Sequence, residues 1–299
     1  MIAVDLCRDS LDGLSVGDAL GAQFFVPGTS YTELAAGRPP RGPWPWTDDT
    51  EMACSIVSEL QARGDIDPDR LAAAFAQRYE PYRGYGGGAV VILHQIRDGA
   101  DWRQAARAAF DGQGSMGNGA AMRVAPLGAY YAGDSRAAAL RAMRSAEVTH
   151  AHAEAVLGAV AVSVAAAEAG HARRTDRRPE PEALLQAVLA HLVDSHVSAG
   201  IRRAITLLGT SVAEAAYELG NGARVLAQDT VPFTLWAAAT FLHDYPAAVL
   251  ACIEAGGDVD TTASIVGGIV AAFTGAGPGG IPLPWLTTRE PLPSWITAS

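Results

Sequence analysis

The chain of 299 residues carries 22 basic and 32 acidic side chains, which give a formal net charge of -10. This charge excludes a protein that coats nucleic acid through bulk electrostatic attraction. The composition, 49% hydrophobic and 18% charged, is that of a packed globular protein, and no charged block or long Ser/Pro tract marks a linker. We therefore predict one domain over residues 1–299.

Apolar residues recur at three- and four-residue spacing along Ala-rich segments through most of the chain. Asp67 and Pro68 predict a helix that begins with an N-cap and a proline in its first turn and runs to Tyr79. The best strand candidate, 90–93, lies inside a longer helical pattern. We predict an all-α fold of roughly a dozen helices. Glycines are expected to end helices at Gly64, Gly99, Gly170, Gly220 and Gly256.

Two segments depart from the helical pattern. Residues 172–181 contain four arginines and two prolines, which predict an exposed loop between two helices. The stretch after Gly275 is rich in Gly and Pro, and we expect it to cover the surface without helical structure.

The cysteines and the apolar runs indicate a soluble protein of the cytoplasm. Cys7, Cys54 and Cys252 lie far apart and form no CxxC pair, which argues against a disulfide framework and a zinc site. The N-terminus lacks the basic start and apolar run of a signal peptide. The longest uncharged apolar runs, 155–167 and 263–273, are shorter than the roughly 18 to 20 residues that span a bilayer. We expect no membrane partner.

Two acidic segments stand where loops enter helices. The first is TDDTE at 47–51, and the second, GGDVDTT at 256–262, precedes an apolar helix. Carboxylate and hydroxyl oxygens suit Mg²⁺ or Mn²⁺ rather than zinc. The alternative is helix capping, since Asp and Thr are favoured N-cap residues and Asp48 with Glu51 has the spacing of a capping box. For either segment alone, capping is the simpler interpretation.

A third segment, GQGSMGNGAAMR at 112–123, is a glycine-rich loop that runs into a helix. Free backbone N–H groups at a helix start, with glycines that permit close approach, form a natural site for an anion or diphosphate. Together with the two acidic segments, this loop indicates a phosphate-bearing substrate beside a divalent cation.

With these segments in place, the chain resembles the ADP-ribosylglycohydrolase family, which comprises all-α, di-magnesium enzymes. The matching segments occur in the order 13–22, 47–50, 114–123, 149–152 and 257–262. The resemblance extends from residue 13 to residue 274, nearly the whole chain. It implies a compact multi-helix orthogonal bundle. It also implies a hydrolase that cleaves the glycosidic bond between ADP-ribose and a protein side chain, a nucleobase or a small molecule.

The resemblance implies a metal-binding set at the two acidic segments. Two Mg²⁺ ions, or Mn²⁺ in their place, would be bound by Thr47, Asp48, Asp49, Asp258, Asp260 and Thr261. Asp49 or Asp258 is the candidate catalytic base that activates water. Such a site lowers the pKa of bound water and stabilises developing charge.

The resemblance also implies a binding site for ADP-ribose. The loop that would hold it contains Gly114, Ser115, Met116, Gly117, Asn118 and Gly119. In relatives two aromatic residues sandwich the adenine; Phe110 has the first position, and Met116 replaces the second aromatic. His150 corresponds to a histidine near the ribose, and the glycine loop with Gly84 and Tyr85 should border the same cleft. Without the resemblance, Phe110 is better explained as a helix core residue and His150 as a buried or capping residue.

One position departs from the family pattern. Many relatives carry a glutamate four residues after the second glycine of the segment Gly-Asp-Ala-Leu-Gly, and this chain has Phe25 there. An aromatic ring neither ligates metal nor accepts a proton, so seryl-linked substrates, which depend on that glutamate, are disfavoured. Glu33 or a metal-ligating aspartate is the candidate replacement.

Two other functions remain open at this point. The first is an ADP-ribose-binding protein that has lost catalysis, for which Phe25 is the signal. The second is a metal phosphohydrolase that uses His243 and Asp244, although the further histidines that such a site needs are not apparent.

Overall fold

The structure, a computed structural model, describes residues 3–297, and within this range it is helical, with isolated bridges but no strand. The predicted all-α class is confirmed, although the helices are more numerous and shorter than expected. Two 3-10 turns lie at Gln23–Phe25 and Asn118–Ala120. The α-helices are α1 (Ala3–Ala22), α2 (Tyr31–Ala35), α3 (Asp48–Arg63), α4 (Pro68–Arg78), α5 (Gly87–Arg97), α6 (Trp102–Gly112), α7 (Ala125–Tyr130), α8 (Ser135–Glu147), α9 (Ala153–Arg174), α10 (Pro181–Leu189), α11 (His196–Thr206), α12 (Val212–Leu219), α13 (Ala227–Thr240), α14 (Tyr245–Ala255), α15 (Val259–Thr274), α16 (Leu283–Thr288) and α17 (Ser294–Thr297).

Helices α1 and α15 pack with their backbones in direct contact through glycines spaced four residues apart, which share one helix face. A Cβ at Gly17 would lie 2.1 Å from the carbonyl oxygen of Ala263. A Cβ at Gly21 would lie 2.8 Å from the Cα of Asp260. The two helices are antiparallel, so the C-terminal end of α1 meets the N-terminal end of α15.

Helix α9 has 22 residues and is buried on most of its surface. By length and hydropathy alone it could cross a membrane, and 83% of its most apolar window is buried inside the protein, as in a core helix. Gly170 was expected to end a helix, and this prediction is wrong because Gly170 lies inside α9. A Cβ there would lie 3.1 Å from the Cβ of Ala132, so the glycine serves close packing.

Several predicted boundaries agree with the structure. Helix α4 begins at Pro68, and the side chain of Asp67 accepts hydrogen bonds from the first turn. Helix α3 ends at Arg63 and is capped by Gly64, which adopts the left-handed conformation with φ +69°. The strand candidate 90–93 lies in α5.

Two other boundaries are corrected. Helix α9 continues to Arg174 and α10 begins at Pro181, so the exposed loop predicted for 172–181 is shorter at both ends. The stretch after Gly275 contains α16 and α17, because Pro282 and the prolines near it permit short helical turns rather than excluding them.

Replacement of Gly17 by alanine tests the α1–α15 contact. The added methyl group overlaps the carbonyl oxygen of Ala263, so the free energy of unfolding should fall by about 3 kcal/mol. Urea denaturation followed by circular dichroism measures this change.

The control is Gly87→Ala, because a Cβ at Gly87 meets no atom within 4 Å and its φ is not positive. This variant should stay within about 0.5 kcal/mol of the unaltered chain. Equal stability of the two variants would contradict the packing described.

Candidate active site

Asp18, a fully buried residue of α1, joins this helix to the start of α3. Its carboxylate accepts hydrogen bonds from the backbone N–H of Thr47 at 2.9 Å and from the Thr47 hydroxyl at 2.8 Å. It also accepts from the N–H and hydroxyl of Thr50, at 3.2 and 2.5 Å. A carboxylate at a helix N-terminus is stabilised by the free N–H groups of the first turn. Asp18 lies in the segment 13–22 of the family resemblance, and no role was predicted for it from the sequence.

Three carboxylates converge at the place where α1, α3 and α15 meet. One oxygen each of Asp18, Asp49 and Asp260 lies within 4.8 Å of the others, although Asp49 and Asp260 are 211 residues apart in sequence (260 minus 49). Asp49 is 1% exposed and its Oδ1 has no hydrogen-bond partner in the described part of the chain. The set of oxygen donors fits a hard divalent cation, which would satisfy this unpartnered atom.

The pKa values of Asp18, Asp48, Asp49 and Asp260 are all raised, because these acids are buried close to one another and no cation of the described residues balances their charge. Burial, and after it the charge of Asp18, raises the pKa of Asp48 to about 8. The same causes raise the pKa of Asp260 to about 8 and that of Asp49 well above its ordinary value. Burial also raises the pKa of Asp18 to about 6, against the opposing effect of the Thr50 and Thr47 hydrogen bonds. A bound cation would remove this repulsion.

The second acidic segment is tied to the glycine-rich loop through Asp258. Its Oδ2 accepts a hydrogen bond from Asn118 Nδ2 at 2.7 Å, and the same amide donates to the Thr230 hydroxyl at 3.0 Å. The backbone N–H of Asp258 donates to the carbonyl of Asn221 at 3.1 Å. A Cβ at Gly222 would lie 2.7 Å from the Cβ of Asp258, so this glycine permits the close approach. Neither Asn221 nor Gly222 was singled out from the sequence.

The capping interpretation of the acidic segments is wrong. Thr47 and Asp258 occupy the two N-cap positions, and neither side chain makes a capping hydrogen bond. Glu51 accepts hydrogen bonds from Tyr85 and from the N–H of Glu80 instead of closing a capping box.

The remaining members of the predicted metal set lie beside the cluster. Asp48 is partly exposed at the start of α3, and its Oδ1 would lie 3.7 Å from a Cβ at Gly84. Thr261 is buried next to Asp260 in α15, and its N–H donates to an Asp260 oxygen at 2.8 Å.

The glycine-rich loop packs against the segment 149–152. A Cβ at Gly114 would lie 2.9 Å from the Cβ of Ala151, and one at Gly119 would lie 2.9 Å from His150. The loop enters the short 3-10 turn Asn118–Ala120 rather than a long helix.

Fewer backbone N–H groups of this loop are free to bind an anion than the sequence predicted. The N–H of Gly117 donates to the Ser115 hydroxyl, and the N–H of Asn118 donates to the carbonyl of Val225. The carbonyl of Met116 accepts from Ala227. These bonds hold the loop against residues 225–227 and use donors that the sequence pattern had left free.

Phe110 lies at a kink in α6, with φ +53°, and its side chain is 64% exposed. The alternative that Phe110 is a core residue is therefore wrong. Its ring would lie 3.7 Å from a Cβ at Gly88, and Gly84 lies beside Asp48. The glycine loop thus extends from Asp48 to Phe110. Tyr85, between its ends, donates its hydroxyl to Glu51 at 2.5 Å.

His150 is buried, and its Nδ1 lies 2.8 Å from the Thr149 hydroxyl. Burial, and after it the charge of Arg123, lowers the pKa of His150 to about 3. The imidazole is therefore neutral at physiological pH, which favours a structural or hydrogen-bonding role beneath the glycine-rich loop over proton transfer.

Of the candidate replacements for the family glutamate, Glu33 does not belong to the acidic cluster, whereas Asp49 and Asp260 do. Phe25 follows α1 in a 3-10 turn and is 55% exposed. Glu33 forms an exposed ion pair with Arg38, whose hydrogen bonds lower the pKa of the glutamate.

The phosphohydrolase alternative receives no support from its two residues. Asp244 caps α14 by accepting from the N–H of Ala247, and the ring of His243 packs edge-on against Phe273 at 4.8 Å. Neither residue belongs to the acidic cluster.

Comparison with known proteins gives the class to which this fold and site belong. Residues 3–298 match the family model of the ADP-ribosylglycohydrolases, and the chain belongs to this family of glycosyl hydrolases.

Individual relatives agree with that assignment. The chain is 29% identical to ADP-ribosylhydrolase ARH3 of Gallus gallus over 323 residues, which cover 90% of this chain and 85% of the relative. It is 30% identical to ADP-ribosylhydrolase ARH3 of Homo sapiens, with 77% and 71% of the two chains covered. An uncharacterized protein of Archaeoglobus fulgidus is 31% identical, with 93% and 90% covered.

A solved structure has the same fold. The chain superposes on a protein described as an ADP-ribosylglycohydrolase-related protein complex with a TM-score of 0.68 and 26% identity, over 96% of this chain and 93% of the other. The resemblance stated from the sequence is confirmed, and with it the hydrolase class.

Replacement of Asp260 by asparagine tests the acidic cluster as a metal site. Mg²⁺ at about 100 times its dissociation constant should add about 2.7 kcal/mol to the free energy of unfolding and raise the Tm by about 5 °C. Asp260→Asn should lose most of this rise. Its metal-free form should be at least as stable as the metal-free unaltered chain, because one repelling charge is gone.

Differential scanning calorimetry in EDTA and in Mg²⁺ measures both effects. Glu182→Gln, an exposed acid of α10, is the control and should keep the full rise. A full rise in Asp260→Asn would show that the cation binds elsewhere.

The depressed pKa of His150 predicts how stability depends on pH. The unfolded chain binds a proton near pH 6.5 and the folded chain only near pH 3, so His150 lowers stability as the pH falls through this window. Each pH unit within it costs up to about 1.4 kcal/mol. His150→Gln should lose less stability than the unaltered chain between pH 6.5 and pH 4 in urea denaturation.

The control for this experiment is the exposed His191. His191→Gln should show the pH dependence of the unaltered chain. Identical slopes for all three proteins would contradict a neutral, buried His150.

Proposed function

We propose that the chain hydrolyses the glycosidic bond between ADP-ribose and a modified target, with two divalent cations, Mg²⁺ or Mn²⁺, as cofactors. The observation that carries this proposal is the convergence of Asp49 and Asp260 with Asp18, at 4.8 Å or less between their oxygens. The unpartnered Oδ1 of Asp49 within this cluster adds to it.

The residues that would hold the cations are those of the two acidic segments. They are Thr47, Asp48, Asp49, Asp258, Asp260 and Thr261. Asp18 belongs to the same cluster, but both of its oxygens accept hydrogen bonds from Thr47 or Thr50. We therefore assign Asp18 mainly to positioning the start of α3. Bound cations of this kind lower the pKa of a water ligand and stabilise negative charge.

Asp49 is the better candidate for the general base. With its Oδ1 assigned to a cation, its Oδ2 accepts a hydrogen bond from the Thr47 hydroxyl at 3.2 Å, a weaker bond than the 2.7 Å bond from Asn118 to the Oδ2 of Asp258. The base takes a proton from the attacking water as the water oxygen bonds to the anomeric carbon. The bond from that carbon to the target breaks, and the target leaves with the electron pair. The transition state has oxocarbenium character, as in other glycosidic cleavages.

Substrate recognition would use the surfaces that border the cluster. The exposed ring of Phe110 offers a flat apolar face for a purine, and Met116 offers a polarisable one. The loop 114–119 would hold the diphosphate and ribose, with the glycine loop at Gly84 and Tyr85 on the other side. Because the net charge of the chain is negative, binding of this anion depends on local contacts and cations rather than long-range attraction.

The side chain of Phe25 cannot act as a proton acceptor, and this bears on which bond between ADP-ribose and its target is cleaved. A carboxylate that acts from this position in relatives is missing, and Glu33 is held by Arg38. The candidate proton acceptors are then the aspartates of the two acidic segments. We propose N-linked targets, such as arginine or a nucleobase, over seryl targets, and we place the reaction in the cytoplasm.

An ADP-ribose-binding protein without turnover is the second candidate function. The observation that favours it is the exposed Phe25 at the position where the family resemblance implies an acid.

Asp49→Asn tests the proposal and separates the two functions. Loss of the general base should lower kcat by about 10²- to 10⁴-fold on the preferred substrate. A release assay with ADP-ribosylated arginine, serine and nucleobase, each with Mg²⁺ and with EDTA, identifies that substrate. Calorimetry with ADP-ribose measures binding in parallel.

Glu182→Gln serves again as the control and should keep full activity. ADP-ribose binding by the unaltered chain with no release from any substrate would favour the binding protein. Full activity of Asp49→Asn, or activity in EDTA, would contradict the proposed mechanism.

A further inference from the structure

We propose that the chain has a second ligand site, which binds a small molecule made of an apolar body and one carboxylate. The site is a cavity of about 540 Å³ between the N-terminal half of α1, the C-terminal half of α3 and the segment 289–296. This volume lies within the range of small-molecule sites.

The cavity is separate from the acidic cluster. Gln61 of α3 lines the cavity, and Asp48 begins the same helix. Thirteen residues along a helix (61 minus 48) correspond to roughly 20 Å. A molecule in the cavity therefore touches none of the residues proposed to hold cations or ADP-ribose.

The walls are mainly apolar side chains of the core. Leu11 of α1, Val57 and Leu60 of α3 and Ile296 of α17 line the cavity, and each is at least 96% buried. Burial of an apolar ligand body against such side chains contributes about 25 cal/mol for each Å² removed from water.

A buried cation with an unused donor lies in the wall. The Arg289 side chain is 9% exposed, and its Nε has no hydrogen-bond partner in the described residues. Its Nη1 donates to the carbonyl of Glu290 at 3.1 Å, and its Nη2 reaches Asp12 only at 3.4 Å. An unpaired donor on a buried charge is unfavourable, and a carboxylate is the acceptor that the edge of a guanidinium matches best.

The net positive charge of the residues that line the cavity favours a ligand with one negative charge. Arg8 and Arg289 face Asp12, so the charged lining residues carry one positive charge in excess. Asp12 is the acid among them, and it reaches only the Nη2 of Arg289, at 3.4 Å, which leaves the Nε of Arg289 unpaired. Arg8 is exposed at the edge of the cavity, where it attracts the anion without being buried.

Octanoate is the probe, and octanol is its neutral counterpart. In calorimetric titrations of the full chain, octanoate should bind one molecule per chain, and octanol at least about tenfold more weakly. Saturation of the chain with ADP-ribose and Mg²⁺ should leave the octanoate affinity unchanged, because the two sites are separate.

Arg289→Met keeps an unbranched stem and removes the guanidinium and its charge, and it should weaken octanoate at least about tenfold while leaving octanol unaffected. Val57→Phe fills the cavity and should weaken both probes, which provides a test if Arg289→Met does not fold. Arg63→Gln, an exposed arginine of α3 outside the cavity, is the control and should bind octanoate normally.

Three outcomes would overturn the proposal. They are no octanoate binding at millimolar concentration, equal binding of octanoate and octanol, and octanoate binding that Val57→Phe leaves unchanged.

Discussion

The hydrogen bonds of the buried Asp18 are the interaction on which the site depends. One carboxylate accepts from the N–H and hydroxyl groups of Thr47 and Thr50, and it thereby holds the first turn of α3 against α1. The backbone contact at Gly17 and Gly21 brings the start of α15 to the same place. Asp18 of α1, Asp49 of α3 and Asp260 of α15 therefore lie close together, although the three helices are distant in sequence.

This arrangement costs stability in the absence of a cation. Burial of several carboxylates within a few ångströms of one another raises their pKa values, because each charge is desolvated and repelled by the others. The fold tolerates the cost through the interdigitated α1–α15 packing and through α9 in the core. The bond from Asn118 to Asp258 makes the glycine-rich loop part of the same assembly, so the residues proposed to hold cations and those proposed to hold the substrate share one framework.

Much of the fold and part of the site follow from local sequence patterns. Helical periodicity, the cap at Asp67 and the glycine at 64 are local, and the structure agrees with them. Gly170 could not be interpreted locally, because a glycine that ends a helix and a glycine that permits packing look alike in sequence. The role of Asp18 and the partners of the Gly117 and Asn118 N–H groups depend on residues that are distant in the chain, so no local pattern contained them.

The central claim is that the acids of α3 and α15 share a divalent cation. A crystal of the full chain grown in MnCl₂, with anomalous diffraction collected at the manganese edge, tests it most directly. We expect a manganese peak in contact with both Asp49 and Asp260. Well-ordered Asp49 and Asp260 side chains with no peak between them, or with manganese bound only at other sites, would contradict it.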